Sequence, residues 1–237
     1  MNVKNRQFRE ANSQWKTVSA LYFLFAIPGV PAMFIVAMVM LGPQASGGAS
    51  NLINPTYFNT YLAIIVHGIS GAMFFISLPM QYSNRIKAYS ARWHKIMGRV
   101  AVCSACTMAI SGVWMHHVLS PHELGARYVS LIIVSVAICF CFIIATYFAI
   151  RKNLKNHTVW MSCAVASALA VITPLFLAVP VNVFVEPSST LKAYLDAMLY
   201  DYDRVIALCL NLTCLAIYRA RKPAPQSLRR PLAQKPE

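Results

Sequence analysis

"RYVSLIIVSVAICFCFIIATYFAI" (residues 127–150) carries one charge, Arg127, at its first position and none in the 23 residues after it. The basic stretch "RKNLKNH" (151–157) follows at once. As a helix rising about 1.5 Å per residue, the apolar run is roughly 36 Å long, enough to cross a hydrocarbon core of about 30 Å. The rest of the chain repeats the pattern. Of its 237 residues, 58% are hydrophobic and 12% charged, with mean hydropathy +0.54. Soluble domains carry about 25% charged residues, so this deficit points to lipid as the solvent.

Six such spans are predicted, over 17–41, 58–82, 97–119, 127–150, 158–183 and 203–219. The first is too long for a signal peptide, follows 16 polar residues and ends without a small-residue cleavage site. Basic residues alternate between the connecting segments. Residues 1–16, 84–99, 151–157 and 219–237 hold 18 of the 21 lysines and arginines. The other connections hold Arg127, Lys192 and Arg204, together with five of the seven acids: Glu123, Glu186, Asp196, Asp201 and Asp203. By the positive-inside rule both termini are cytoplasmic. Pro28 and Pro31 predict a kink in the first span, and Pro174 and Pro180 a bend in the outer half of the fifth. Ser188–Ser189 opens a short interfacial helix within 184–202. The Pro-rich, charged tail has the composition of a disordered segment.

The net charge of +14 lies in four short segments without an aromatic platform or binding motif. Topology and attraction to anionic headgroups account for it, and nucleic acid is not expected as a partner. All seven cysteines fall inside predicted spans and none in an outer loop. Cys103 and Cys106 form a C-x-x-C within a helix, without the second pair or βαβ context of a zinc or redox site, so packing is their expected role.

Ionisable residues inside a membrane are functional candidates because burying them in hydrocarbon is costly. His67 lies about a third of the way into the second span. His116 and His117 lie near the outer end of the third. His94 and His157 mark the inner ends of the third and fifth, each beside a tryptophan (Trp93, Trp160) and a lysine (Lys95, Lys155). Two accounts fit His67. Gly68 and Gly71 leave room for a flat group, and imidazole is a common axial ligand of haem iron. Alternatively, Gly68-x-x-x-Ala72 is a small-residue seam between helices, and the histidine bonds a neighbouring backbone group or hydroxyl. Gly112, Ala109 and Ala105 line up one face below His116, whereas His117 stands above Val113, Ile110 and Cys106. For His94 and His157 the alternatives are a second haem, a quinone headgroup, or simple anchoring of helix ends with Trp93 and Trp160.

The motifs "HGISGAMFFISLPMQY" (67–82), "WHKIMGRV" (93–100), "HTVWM" (157–161) and "LNLTCLAIY" (210–218) together resemble DUF2306, a family of predicted bacterial membrane proteins. The family pattern has a His-bearing helix ending in Gln, then H-R-x-x-G-R, H-R-x-W-M and N-L-x-x-A-E. It falls here on His67, Gln81, His94, Gly98, Arg99, His157, Trp160, Met161, Asn211 and Leu212. Lys95 and Thr158 replace the two motif arginines that follow the histidines, and Ile217 replaces the last glutamate. Lys95 keeps the charge but loses the bidentate fork of arginine. The three histidines are retained, and the resemblance implies that they act together.

The expected protein is therefore all-α: a polytopic inner-membrane protein with a cytoplasmic segment over 1–16, a six-helix transmembrane bundle over 17–219 and a cytoplasmic tail over 220–237. The functional expectation is a b-type haem protein moving electrons to or from a quinone, a membrane oxidoreductase component in contact with a redox partner protein. His67 and His116 are the expected metal ligands of an outer haem b. His94 and His157 are expected to hold an inner haem or the quinone, with Arg99 and Lys95 balancing propionate or semiquinone charge. His94 and His116 stand about 33 Å apart along one helix, a long separation for two haems in one bilayer, which favours one. The alternative is a small-molecule transporter or a non-redox assembly partner of a membrane complex. A transporter should break a helix near the midplane. A partner should show small-residue seams, as the second and third spans do. A hydrolase or transferase is disfavoured, because Glu186, Asp201 and Asp203 have no histidine partner or nucleophile motif beside them.

Overall fold

The computed structural model describes residues 3–45 and 52–221. They form the helices α1 (Val3–Ala45), α2 (Thr56–Asn59), α3 (Tyr61–Met80), α4 (Asn84–Tyr89), α5 (Ala91–Leu119), α6 (Ala126–Ile150), α7 (Leu154–Leu169), α8 (Thr173–Phe184) and α9 (Thr190–Arg221). No strand occurs among the described residues. Four helices are long and apolar enough to cross a membrane: α1 over Trp15–Gln44, α3, α5 and α6. The pair α7 and α8, bent by 43° at the break between them, passes as a fifth span. The sixth predicted span is part of α9, which is 32 residues long but does not pass with them. Lys192, Asp196, Asp201, Asp203 and Arg204 crowd its first half, and Arg219 and Arg221 stand at its end.

The long helices pack in a chain of neighbours: α1 on α3, α3 on α5, α5 on α6 and α6 on α7, with α9 lying on α6, α7 and α8. Side-chain size explains the closest of these approaches. Along the antiparallel α3–α5 pair, Gln81 lies against Gly98, Met108 against Gly71 and His67 against Gly112. Gly68 serves a different seam: a Cβ there would collide with the Val36 side chain on α1. The contacts of α3 are thus divided between two helices by adjacent small residues. At the centre Phe74 is T-shaped to Phe25 of α1 and Phe142 of α6, with centroids 5.3 and 5.9 Å apart. Ala101, Ala105, Ala164, Ala168 and Ala207 are buried in the same core with Leu78, Val134, Ile138 and Leu208.

Local sequence sets the helix ends. Ser90 accepts from the Trp93 N–H at the start of α5 and Asn153 from the Asn156 N–H at the start of α7, the usual N-cap arrangement. Ser189 accepts from the Lys192 N–H at 3.1 Å, so a helix does begin where the serines predict. It continues into the last predicted span as one rod, and the expected interfacial helix is the first turns of α9. α1 keeps helical dihedrals through Pro28 and Pro31 and leaves them at Gly42, whose φ of 82° is a conformation that glycine adopts without strain. The bend of the fifth span falls at Ala170–Ile172, just ahead of Pro174. There the Ala170 N–H bonds Ser167 and the Ile172 N–H bonds Leu169, tightening the last turn of α7. The charged tail from 222 onward lies outside the described residues.

Candidate functional site

Each histidine of the motif pattern stands where two helices cross. His67 Nδ1 lies 3.0 Å from the Met108 carbonyl oxygen and 3.2 Å from Ser111 Oγ, both on α5. A carbonyl only accepts, so Nδ1 carries the hydrogen and Nε2 keeps the lone pair. The ring rests on Gly112, where a Cβ would come within 3.3 Å of it. His157 on α7 repeats the device, with Nδ1 2.8 Å from the Ala145 carbonyl of α6. His94 is held differently. With the Gln81 amide oriented to satisfy both of its ends, Nε2 of Gln81 donates to His94 Nδ1 at 3.1 Å and to the His94 carbonyl at 3.2 Å. Its Oε1 accepts from the Gly98 N–H at 3.2 Å. His94 is therefore the opposite tautomer, with the hydrogen on Nε2.

Gln81, His94 and Gly98, separate positions in the motifs, thus form one contact, and a Cβ at Gly98 would crowd the Gln81 side-chain amide at 3.2 Å. His94 and His157 are engaged on different helix pairs. His67 and His116 are likewise not joined. The Ala105–Ala109–Gly112 stripe is buried, and His67 rests on its Gly112 end. His116 turns to the opposite neighbour, where Nε2 donates to the Glu123 carbonyl at 3.1 Å and the ring stacks on Tyr128 of α6 at 5.4 Å. His117 and His122 are exposed. For His67 this is the geometry that the packing alternative calls for. Among the described residues no three His, Cys, Asp or Glu side chains converge as a metal site.

Arg99 and Lys95 are exposed on α5. Arg99 lines a lateral groove of about 480 Å³ between α3 and α5, walled by Ile65, Val66, Ile69 and Met73 on one side and Val100, Cys103 and Thr107 on the other. The volume is within the range of about 300–1,000 Å³ typical of small-molecule sites. Two serines also line it, but Ser70 Oγ donates to Val66 O and Ser104 Oγ to Val100 O, each within its own helix. That leaves an apolar trough with one cation at its end.

Two arrangements were not legible beforehand. Asn211 of α9 donates to the Ala166 carbonyl at 3.1 Å and pairs with Thr173 Oγ1 at 3.0 Å. That carbonyl has lost its usual helical donor, because the Ala170 N–H turns to Ser167. Proline at 174 signals the break, but nothing local identifies the residue that repairs it. The second lies at the acid-bearing end. Tyr200 donates to Glu123 Oε2 at 3.2 Å, the Arg127 guanidinium sits 4.4 Å over the Tyr200 ring, and Ser130 donates to the Asp201 carbonyl at 2.7 Å. Asp203 Oδ1 and Arg204 Nη1 are buried beside this cluster without a hydrogen-bond partner.

These features define a multi-pass helical membrane protein whose helices are cross-linked by single polar side chains and which opens a groove toward lipid. Residues 64–200 match the family model described as predicted membrane protein (DUF2306), and the chain belongs to that family. The matched stretch contains His67, Gln81, His94, Gly98, Arg99, His157, Trp160 and Met161, and it ends before Asn211 and Leu212. No curated protein and no solved structure matches the chain.

Replacing Asn211 with leucine leaves the Ala166 carbonyl without a donor, at a cost of about 1–3 kcal/mol. The thermal midpoint of the purified protein in detergent is expected to fall, with Asn211→Gln recovering part of it. An unchanged midpoint in Asn211→Leu would show that the bond contributes nothing.

Proposed function

We propose that this protein binds a membrane-dissolved amphiphile in the groove between α3 and α5, with the polar head at Arg99 and the apolar body along Ile69, Val66 and Thr107. The observation that carries this reading is the groove's composition: apolar walls, both serine hydroxyls bonded within their own helices and one guanidinium at one end. The crosslinks at His67 and at Gln81–His94 lie on the same helix pair and hold its walls. Quinones and lipids both belong to this class. Native mass spectrometry of protein purified in mild detergent is expected to find a bound amphiphile that disappears when Thr107→Trp or Cys103→Trp fills the groove. Equal retention by wild type and both variants would refute the reading.

A second reading draws on one observation, the free Nε2 lone pair that His67 keeps while Nδ1 donates to a carbonyl. Metal-ligating histidines are commonly fixed in this way. On this reading His67 binds haem b, His116 serves as the second ligand only by leaving the Glu123 carbonyl, and electrons pass to a quinone near His94 or His157. Absorption spectra separate the two. A Soret band that sharpens on dithionite reduction and is lost in His67→Ala supports haem, whereas a colourless protein from haem-replete cells leaves the groove reading alone.

We also place the protein in the inner membrane with six spans and both termini in the cytoplasm. The basic segments support this orientation. So does α9, which touches the start of α6 through Asp201, the last turn of α7 through Asn211 and its first turns through Arg219. Those 18 residues rise about 27 Å, close to a bilayer core. Alkaline phosphatase fused after Arg221 is expected to be inactive, and fused after Glu186 active. Activity at both points would remove α9 as a span.

A further inference from the structure

Resting on the groove reading above, we propose that the amphiphile is an anionic phospholipid, its phosphate held by Arg92, Lys95 and Arg99 and one acyl chain lying in the α3–α5 groove. The three cations are spaced by three and four residues on α5, so they fall within a narrow arc of one helix face and rise over about 10 Å toward the groove mouth. All three are exposed. None joins an ion pair among the described residues, where the one pair present is Lys192 with Asp196. The carboxylates whose side chains are described (Glu123, Glu186, Asp196, Asp201 and Asp203) all lie on connections or helix turns well removed in sequence, and none contacts α5 near Arg99.

A neutral headgroup needs one donor. Three cations in line, without a carboxylate beside them among the described residues and at the layer where anionic headgroups concentrate, suit an anionic phosphate diester, and each basic side chain near such a surface adds its own increment of attraction. Beyond Arg99 the walls are apolar apart from the Thr107 hydroxyl, since Ser70 and Ser104 bond their own helices. Such a lining suits a hydrocarbon chain. The stripe and the trough meet at Arg99, which both lines the groove and ends the row of charges. A soluble anion would gain nothing from the trough, and an uncharged lipid nothing from the stripe.

The test uses the full chain, delipidated in detergent and titrated separately with phosphatidylglycerol and phosphatidylcholine, with bound lipid counted by native mass spectrometry. The expected result is a preference for phosphatidylglycerol of about tenfold or more. It should vanish in the triple variant Arg92→Gln, Lys95→Gln, Arg99→Gln, which still binds both lipids weakly, and Thr107→Trp or Cys103→Trp should remove lipid altogether. Equal retention of the two lipids, with both tryptophan variants empty, would overturn the headgroup assignment while leaving the groove intact. A preference that survives the triple variant would overturn it too. Displacement of phosphatidylglycerol by millimolar inorganic phosphate would reduce the site to an anion site and overturn the lipid. Retention unaffected by either tryptophan variant would refute the groove itself.

Discussion

The close antiparallel approach of α3 and α5 sets the geometry of the rest of the protein. Hydrocarbon offers no hydrophobic drive between helices, so association depends on packing and on polar contacts made where backbones come near. Small residues permit the approach: Gly71 beside Met108, Gly98 under Gln81 and Gly112 under His67. Because Gly98 and Gly112 have no side chain, Gln81 and His67 reach across and bond the backbone of α5 directly. On the lipid side the same two helices leave a trough, walled by Ile65, Ile69 and Met73 of α3 and by Val100 and Cys103 of α5.

Polar atoms inside a bilayer must be satisfied by the protein, and this chain does so in two ways. Most hydroxyls turn back on their own helix, as Ser70, Ser77, Ser104, Thr146 and Ser162 do. Such bonds solve a local problem and join nothing. A smaller set crosses between helices: His67, Gln81, His157, Asn211 and Ser130. They tie α3 to α5, α7 to α6, and α9 to α6 and the bent fifth span. The helix break at Ala170–Ile172 is tolerated because Asn211 supplies the donor that the last turn of α7 has lost. Two of the three motif histidines thus hold the fold in the same tautomer, and the third, His94, is held by Gln81 in the other.

Much of this architecture was legible in the sequence. The spans of α1, α3, α5 and α6 follow from length and apolarity alone, and Pro174 announced the bend of the fifth. The helix starting at Ser189 was foreseen, though its continuity with the last span was not. Charge hid it, because Asp201, Asp203 and Arg204 make α9 look like a loop until α6 is seen to cover it. The histidines were recognised as a set. Their partners were not, since Met108, Ser111 and Ala145 are ordinary residues and what bonds the histidines is a backbone carbonyl, an atom every residue has. Gln81 and Gly98 were named from the motif with no means of telling that they touch.

The sequence alone determined that this is a helical membrane protein, where its longest spans begin and end, and which end of each carries the basic charge. Those properties depend on a window of about 20 residues and on the solvent, so no distant contact is needed to read them. The tertiary structure alone decided that His67 meets α5 and His116 meets α6, that Asn211 repairs a break 40 residues away, and that Arg99 lies at the end of an apolar groove. Each of these depends on which helices become neighbours and at what rotation. That is set by small-residue packing summed over whole interfaces, a property of pairs of helices that no single stretch contains.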